Sequence, residues 1–262
     1  MSSPAERLRR LRVCAVSYLN TVPLVWGMLH GEQQGRFDLE FLSPSECADK
    51  LESGGADIGI VPSSELLRLD LEVIPGAGIA CQQAVRSILL VSKVAFADIR
   101  ILAADMNSRT SVQLARVLLA RNHGAEPCII WARPDLTAML RTADAALIIG
   151  DPALRLDVAS LPYRVSDLGA EWTATTGLPM VFAVWAGQKE CVTPELEAPF
   201  LASCRFGMSH LDEIVRAESR GRGFSEEFTR AYLRDNLCLE LGEREYQGLE
   251  LFLRYAGELG PA

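Results

Sequence analysis

The chain has 262 residues, 49% of them hydrophobic, and a formal net charge of −8. That composition can fill one large core or two modest ones, and it excludes a disordered or fibrous chain. The acidic balance argues against broad nucleic-acid binding, which needs a basic face to neutralise phosphates, yet a local anion site needs only oriented amides and one or two arginines.

Residues 11–16 are an apolar run that reads as a strand. Ser17-Tyr18-Leu19-Asn20-Thr21 interrupts it, and Pro23 opens a helix carrying Leu24, Val25, Met28 and Leu29, with Asn20 or Thr21 able to cap it. Residues 37–42 read as a second strand; Ser43-Pro44-Ser45-Glu46 is a capping-box signature, and Gly54-Gly55 closes the helix that follows. A buried-type strand at 57–61 runs into Pro62-Ser63-Ser64-Glu65 and a short helix with Leu66, Leu67 and Leu69. Strands at 87–91 and 99–103, a helix at 110–121, a strand at 128–131, a helix at 135–141 and a strand at 145–149 continue the alternation. That pattern predicts βαβ units and a largely parallel sheet. After an apolar strand at 180–186 the character changes to amphipathic helices at 194–218, 225–236 and 243–255, a tail expected to dock on the first lobe.

The cysteines at 14, 47, 81, 128, 191, 204 and 238 form no Cys-x-x-Cys pair, so neither a zinc site nor a disulfide framework is suggested and a reducing compartment fits. Residues 1–12 lack the apolar stretch of an export signal, and no later window has the unbroken apolar length of a membrane helix. A cytoplasmic protein without a membrane partner is expected. The sequence leaves the oligomeric state open.

In open α/β sheets, ligands bind beyond the carboxyl ends of strands, where loops enter helix N-termini. The segments so placed are 17–21, 62–65, Asn107-Ser108-Arg109-Thr110-Ser111 and Gly150-Asp151-Pro152. The third combines hydroxyls, free helix amides and a guanidinium, a set that suits a carboxylate, although Ser108 as a plain N-cap with a solvated Arg109 satisfies the same residues. Asn20 offers both a donor and an acceptor to a ligand, or a turn cap; Ser17 and Ser63 are open to the same two readings. Arg86-Ser87 puts a polar pair at the start of a strand. His30 and His123 precede glycines near helix ends, and His210 falls in the tail, so no catalytic histidine constellation emerges. Gly76-Ala77-Gly78 lacks the third glycine of a dinucleotide loop, and neither a Walker sequence nor a Gly-x-Ser-x-Gly elbow occurs. Nothing points to a metal or organic cofactor.

Taken together and in order, Val16-Ser17-Tyr18-Leu19-Asn20-Thr21-Val22-Pro23-Leu24, Gly59-Ile60-Val61-Pro62-Ser63-Ser64-Glu65, Val85-Arg86-Ser87, Ser108-Arg109-Thr110-Ser111, Ile149-Gly150-Asp151 and Thr176-Gly177-Leu178-Pro179 resemble the chorismate dehydratases of the futalosine route to menaquinone. The resemblance covers roughly residues 11–186; Met180 departs from it, standing where an aromatic is expected. It implies a two-lobed α/β type II periplasmic-binding-protein-like fold with an interlobe active-site cleft and a helical C-terminal tail. The expected division is residues 1–91 plus 187–262 in the first lobe and 92–186 in the second.

The implied reaction is a lyase step, chorismate to 3-[(1-carboxyvinyl)oxy]benzoate and water, with chorismate the only partner implied. Asn20 and Ser87 are the expected catalytic pair, and the substrate's own enolpyruvyl carboxylate is the expected proton acceptor. Ser17, Tyr18, Ser63, Arg86, Ser108, Arg109, Thr110, Ser111, Gly150 and Asp151 are the expected substrate-binding set. For Arg109 the alternative is a brace of the lobe, and for Asp151 an orienter of loop amides. Competing readings are a 1,4-dihydroxy-6-naphthoate synthase-like enzyme of the same pathway, which needs a general base, and a non-catalytic small-carboxylate-binding protein, since fold alone does not decide between binding and catalysis.

Overall fold

The computed structural model describes residues 9–105 and 109–260. The chain begins with β1 (Arg12–Val16), α1 (Val22–His30), β2 (Asp38–Leu42), α2 (Pro44–Glu52), β3 (Ile58–Pro62) and β4 (Glu72–Cys81). It then builds a second unit from β5 (Ile88–Ser92), β6 (Ile101–Asp105), α3 (Arg109–His123), β7 (Cys128–Ala132), α4 (Leu136–Thr142), β8 (Ala145–Ile149), α5 (Gly150–Leu154), β9 (Arg164–Asp167) and α6 (Leu168–Thr176). It returns through β10 (Met180–Gly187) to α7 (Glu197–Ser209), α8 (Leu211–Arg222), α9 (Glu226–Ala231), β11 (Cys238–Glu240) and α10 (Glu243–Leu259).

Two sheets result, a six-stranded one ordered β11-β4-β10-β3-β1-β2 and a five-stranded one ordered β7-β6-β8-β5-β9. Their logic is the same. In each, three parallel strands are followed by one reversed strand, β10 in the first sheet and β5 in the second. The reversed strand is the one contributed by a crossing between lobes, so the chain passes over at residues 82–87 and returns at 177–179. The sequence-based boundaries are corrected here: residues 88–91 pair within the second sheet and 180–186 within the first. Apolar runs mark both strands as buried, but a buried run carries no mark of the sheet it joins. The sheets are mixed, not purely parallel.

Strand β4 has no counterpart among the elements expected from sequence, since Pro75, Gly76 and Gly78 are poor strand formers. The structure accommodates them with register shifts against β10 and β11, and Gly78 is required: a Cβ there would lie 2.6 Å from Leu241 and 2.7 Å from the Ala183 carbonyl oxygen. The capping box of Ser43 and Glu46 forms as expected. The predicted helix at 194–218 is broken at His210, whose Nδ1 meets the Phe206 carbonyl at 2.8 Å while its ring stacks on Phe206. Pro194 opens a separate short turn before α7.

A large apolar core fills the first lobe and continues beneath one face of the second sheet, while Leu89, Val91, Met139, Leu140 and Ile148 form a smaller core on the other face. The tail docks on the first lobe through α7, packed on α1 and β4, and through α10 on β10. It also reaches the second lobe, because Gln113 and Arg116 of α3 donate to the Gly260 carbonyl at 3.0 and 2.9 Å. Among the described residues no helix is long and apolar enough to cross a membrane.

Candidate active site

Between the sheets lies a crevice lined by residues of both lobes. The carboxyl ends of β1, β3 and β8 and the start of α3 all open on it, as expected for ligand sites of open α/β sheets. Its walls are mainly apolar, including Val16, Ile60, Ile79, Ile88, Ile149 and Phe182, and its polar groups are Tyr18, Asn20, Ser87, Arg109, Thr110 and Ser111. A few polar groups on an apolar wall are what orient a small ligand and strengthen each electrostatic contact to it.

The expected catalytic pair is brought together on this crevice although 67 residues separate Asn20 from Ser87 (87 − 20). Asn20 lies in the turn between β1 and α1 and is half-buried; Ser87 is 1% exposed at the end of the crossing. Its position is built by Asp167, whose carboxylate accepts the amides of Val85 at 3.0 Å and Arg86 at 2.6 Å while capping α6. Arg86 adopts φ 62°, a left-handed conformation that costs a non-glycine residue on the order of 1 kcal/mol. The two Asp167 bonds hold that turn and aim the next side chain inward.

Thr110 and Ser111 lie in the first turn of α3, both nearly buried and both on the crevice. Thr110 Oγ1 accepts the Ser64 amide at 3.1 Å and donates to Ser64 Oγ at 3.3 Å, which joins the second lobe to the first. Arg109 also spans the lobes, donating to Glu65 at 3.0 Å and Asp49 at 2.9 Å. Its charge is thus already matched by two carboxylates. Ser108 lies outside the described residues.

Tyr18 packs its ring on Gly150, and burial, followed by the Asp105 and Asp151 carboxylates, pushes its phenol well above the usual tyrosine range. Gly150 adopts φ 62°, and a Cβ there would lie 2.9 Å from the Tyr18 ring, so both conformation and space demand glycine. Its amide donates to the Ser87 carbonyl at 2.8 Å, which ties the loop after β8 to the start of β5.

The remaining predicted residues stand off the crevice. Ser17 is exposed, its hydroxyl donating to the Leu42 carbonyl at 3.3 Å. Ser63 is fully buried and donates to the Val181 carbonyl at 2.9 Å. The Arg86 guanidinium points away, 5.5 Å from the Phe228 ring centroid. Asp151 accepts the Leu19 amide at 3.1 Å and an Arg222 bond at 2.6 Å, the arrangement of a loop orienter. Ser17, Ser63 and Asp151 thus spend their polar atoms on bonds within the protein, which a sequence motif cannot distinguish from ligand contact.

The histidines all lie elsewhere: His30 packs on Trp26, His123 bonds Glu171 at 3.1 Å, and His210 stacks on Phe206. Among the described residues no group of three His, Cys, Asp or Glu side chains is placed to hold a metal ion. Sequence reasoning missed Asp167 and Arg222; the first shows locally only as a helix cap, and the second gives no local signal.

Comparison with known proteins follows the same lines. Residues 11–258 match the menaquinone biosynthesis family. A chorismate dehydratase of Thermus thermophilus is 31% identical over 232 residues, 82% of this chain and 84% of that protein. Among solved structures, a protein from Archaeoglobus fulgidus superposes with a TM-score of 0.73 at 17% identity, covering 95% of this chain and 97% of its own. The periplasmic aliphatic sulphonate binding protein SsuA of Escherichia coli superposes at 0.61 and 16% identity, covering 96% and 88%. A Candida albicans protein described as having the generic periplasmic binding protein fold superposes at 0.59 and 13% identity, covering 97% and 92%. These structures share the fold, which is the two-lobed periplasmic-binding-protein architecture. With the family match spanning nearly the whole chain, and a curated homologue alongside it, the chain belongs to the menaquinone biosynthesis family and is a homologue of chorismate dehydratase.

Proposed function

We propose that this chain is a carbon–oxygen lyase that dehydrates chorismate to 3-[(1-carboxyvinyl)oxy]benzoate. The observation that carries the reading is the meeting of Asn20, Ser87, Thr110 and Ser111 on one apolar-walled crevice, in a chain whose curated homologue is named for that reaction. Loss of the ring hydroxyl and a ring proton makes the ring aromatic, so the driving force lies in the product. What remains for the protein is to bind two carboxylates, present the departing hydroxyl to a donor, and keep water out.

The first turn of α3, with the Ser111 hydroxyl and its amides, receives one carboxylate without a free cation, while Thr110 holds that turn to Ser64. Ser87 and Asn20 flank the reacting centre, Ser87 as donor to the leaving hydroxyl and Asn20 as a grip on hydroxyl or carboxylate. No histidine lies on the crevice, which supports the substrate's own enolpyruvyl carboxylate as the acceptor of the ring proton. Rate enhancement then comes from holding a reactive conformer and from fixed dipoles in a dry site. Arg109 acts as a brace between lobes, because both its carboxylate partners belong to the first lobe.

The test is incubation of the purified chain with chorismate, followed by chromatography and mass spectrometry for the product one water lighter. Chorismate left unchanged overturns the proposal.

A further inference from the structure

Strand β10 departs from regular pairing at a point that faces the crevice. Val181 pairs with Ala80, and Ala183 with the next residue along β4, Ile79, so Phe182 is an extra residue on β10 and forms a β-bulge. Bulges break the two-residue alternation of a strand and re-aim a side chain, often beside an active site. In an unbroken strand Met180 and Phe182 would share a face and Ala183 would take the other. Here Phe182 and Ala183 both line the crevice, while Met180 is fully buried away from it. The peptide group that joins Val181 to Phe182 is held by the buried Ser63, whose hydroxyl donates to the Val181 carbonyl at 2.9 Å.

The Phe182 ring is 7% exposed, is rooted in the main apolar core and lines the crevice from the first lobe. The second lobe supplies Ile88 and Ile149 to the same space. Tyr18, also aromatic and on the crevice, has its ring packed on Gly150. Among the described residues this leaves Phe182 as the flat apolar ring in an otherwise aliphatic wall.

Chorismate enters with a puckered cyclohexadiene ring, and dehydration flattens that ring into an arene. A phenylalanine face favours a planar aromatic partner over a puckered one, through the quadrupoles of both rings as well as the area they bury. Such a contact strengthens as the reaction proceeds, and contacts that strengthen toward the transition state are the ones that speed the chemical step. An aliphatic side chain covers the same ring without that preference.

We propose that Phe182 is a specificity-determining residue, the flat wall on which the six-membered ring of the substrate lies and against which it becomes aromatic. The inference rests on the lyase reading above.

The experiment compares two monocarboxylates of similar outline, 3-methoxybenzoate and its saturated counterpart 3-methoxycyclohexanecarboxylate, by titration calorimetry. The intact chain binds the aromatic acid more tightly. Phe182→Leu lowers the ratio of the two affinities by about twofold to tenfold, the size of an aromatic pair's contribution, whereas a cavity alone weakens both ligands alike. Turnover of chorismate falls in kcat by a similar factor. Phe182→Ile, β-branched and suited to a strand, gives the same change in ratio and serves if the leucine variant does not fold. An unchanged ratio in a folded variant, or no preference for the aromatic acid in the intact chain, overturns the inference, while turnover of chorismate keeps the lyase reading standing. An intact chain that leaves chorismate unchanged overturns both.

Discussion

Arg222 of α8 donates from one guanidinium nitrogen to Asp151 Oδ2 at 2.6 Å and to the Ser17 carbonyl at 3.0 Å. One tail side chain therefore holds the loop after β1 and the helix start after β8, the two segments that meet at one end of the crevice. At the other end, Arg109 joins α3 to Glu65 and Asp49. The two lobes are joined by an arginine on each side of the crevice, Arg222 to Asp151 and Arg109 to Glu65 and Asp49.

Breaking the Arg222–Asp151 pair tests its role in joining the lobes. Asp151→Asn keeps an acceptor for the Leu19 amide but removes the charge opposite Arg222. Both side chains are mostly buried, so a loss of about 1–3 kcal/mol in stability is expected. KM for chorismate should rise more than kcat falls, because the lobes are joined less firmly. Unchanged melting temperature and KM would remove the pair from the account.

Asn20→Ala and Ser87→Ala each take away a polar group on the crevice. A drop in kcat of about 10²–10³ is expected for each, comparable with loss of one preorganised donor in other enzymes. Melting temperatures should shift little. Near-normal turnover in both variants contradicts the assignment of the reacting centre.

Gly150→Ala separates strain from collision when set beside Gly124→Ala. Both glycines have positive φ, at 62° and 64°, so each alanine carries a conformational cost of about 1 kcal/mol. A Cβ at Gly124 meets nothing within 4 Å, whereas one at Gly150 meets the Tyr18 ring. Thermal melts should therefore show a larger loss for Gly150→Ala, and steady-state kinetics should show lost activity for that variant alone. Equal behaviour of the two refutes the Tyr18 contact.

Asp57 offers a pH test away from the site. Hydrogen bonds from the Arg12 side chain, then from the Arg12 amide and Arg9, hold its carboxyl at about 2, below the ordinary value of 3.8. A folded pKa below the unfolded one means stabilisation that is full above about pH 4 and is lost as pH falls through about 2. The difference in melting temperature between wild type and Asp57→Asn should accordingly shrink over that window. A difference that stays constant from pH 6 to about 2 would count against the ion pair.

Much of this protein was readable from local rules. The cap at Ser43, the buried run of β3, and the loops carrying Asn20, Ser87 and Thr110 follow from hydrogen-bond chemistry and periodicity within a few residues. The order of motifs along the chain carried the family resemblance, and hence the two-lobed architecture. Such features persist in any context because neighbouring residues alone satisfy them.

Tertiary structure decided the rest. Which sheet receives β5 and β10 depends on which strands offer free edges, and this moved both crossings. Ser63 and Asp151 matched the expected motif, but their bonds to Val181, Leu19 and Arg222 come from residues 118, 132 and 71 positions away. A side chain's local sequence sets what it can bond to; only the folded chain sets whether that partner is a backbone carbonyl, a distant arginine or the ligand space.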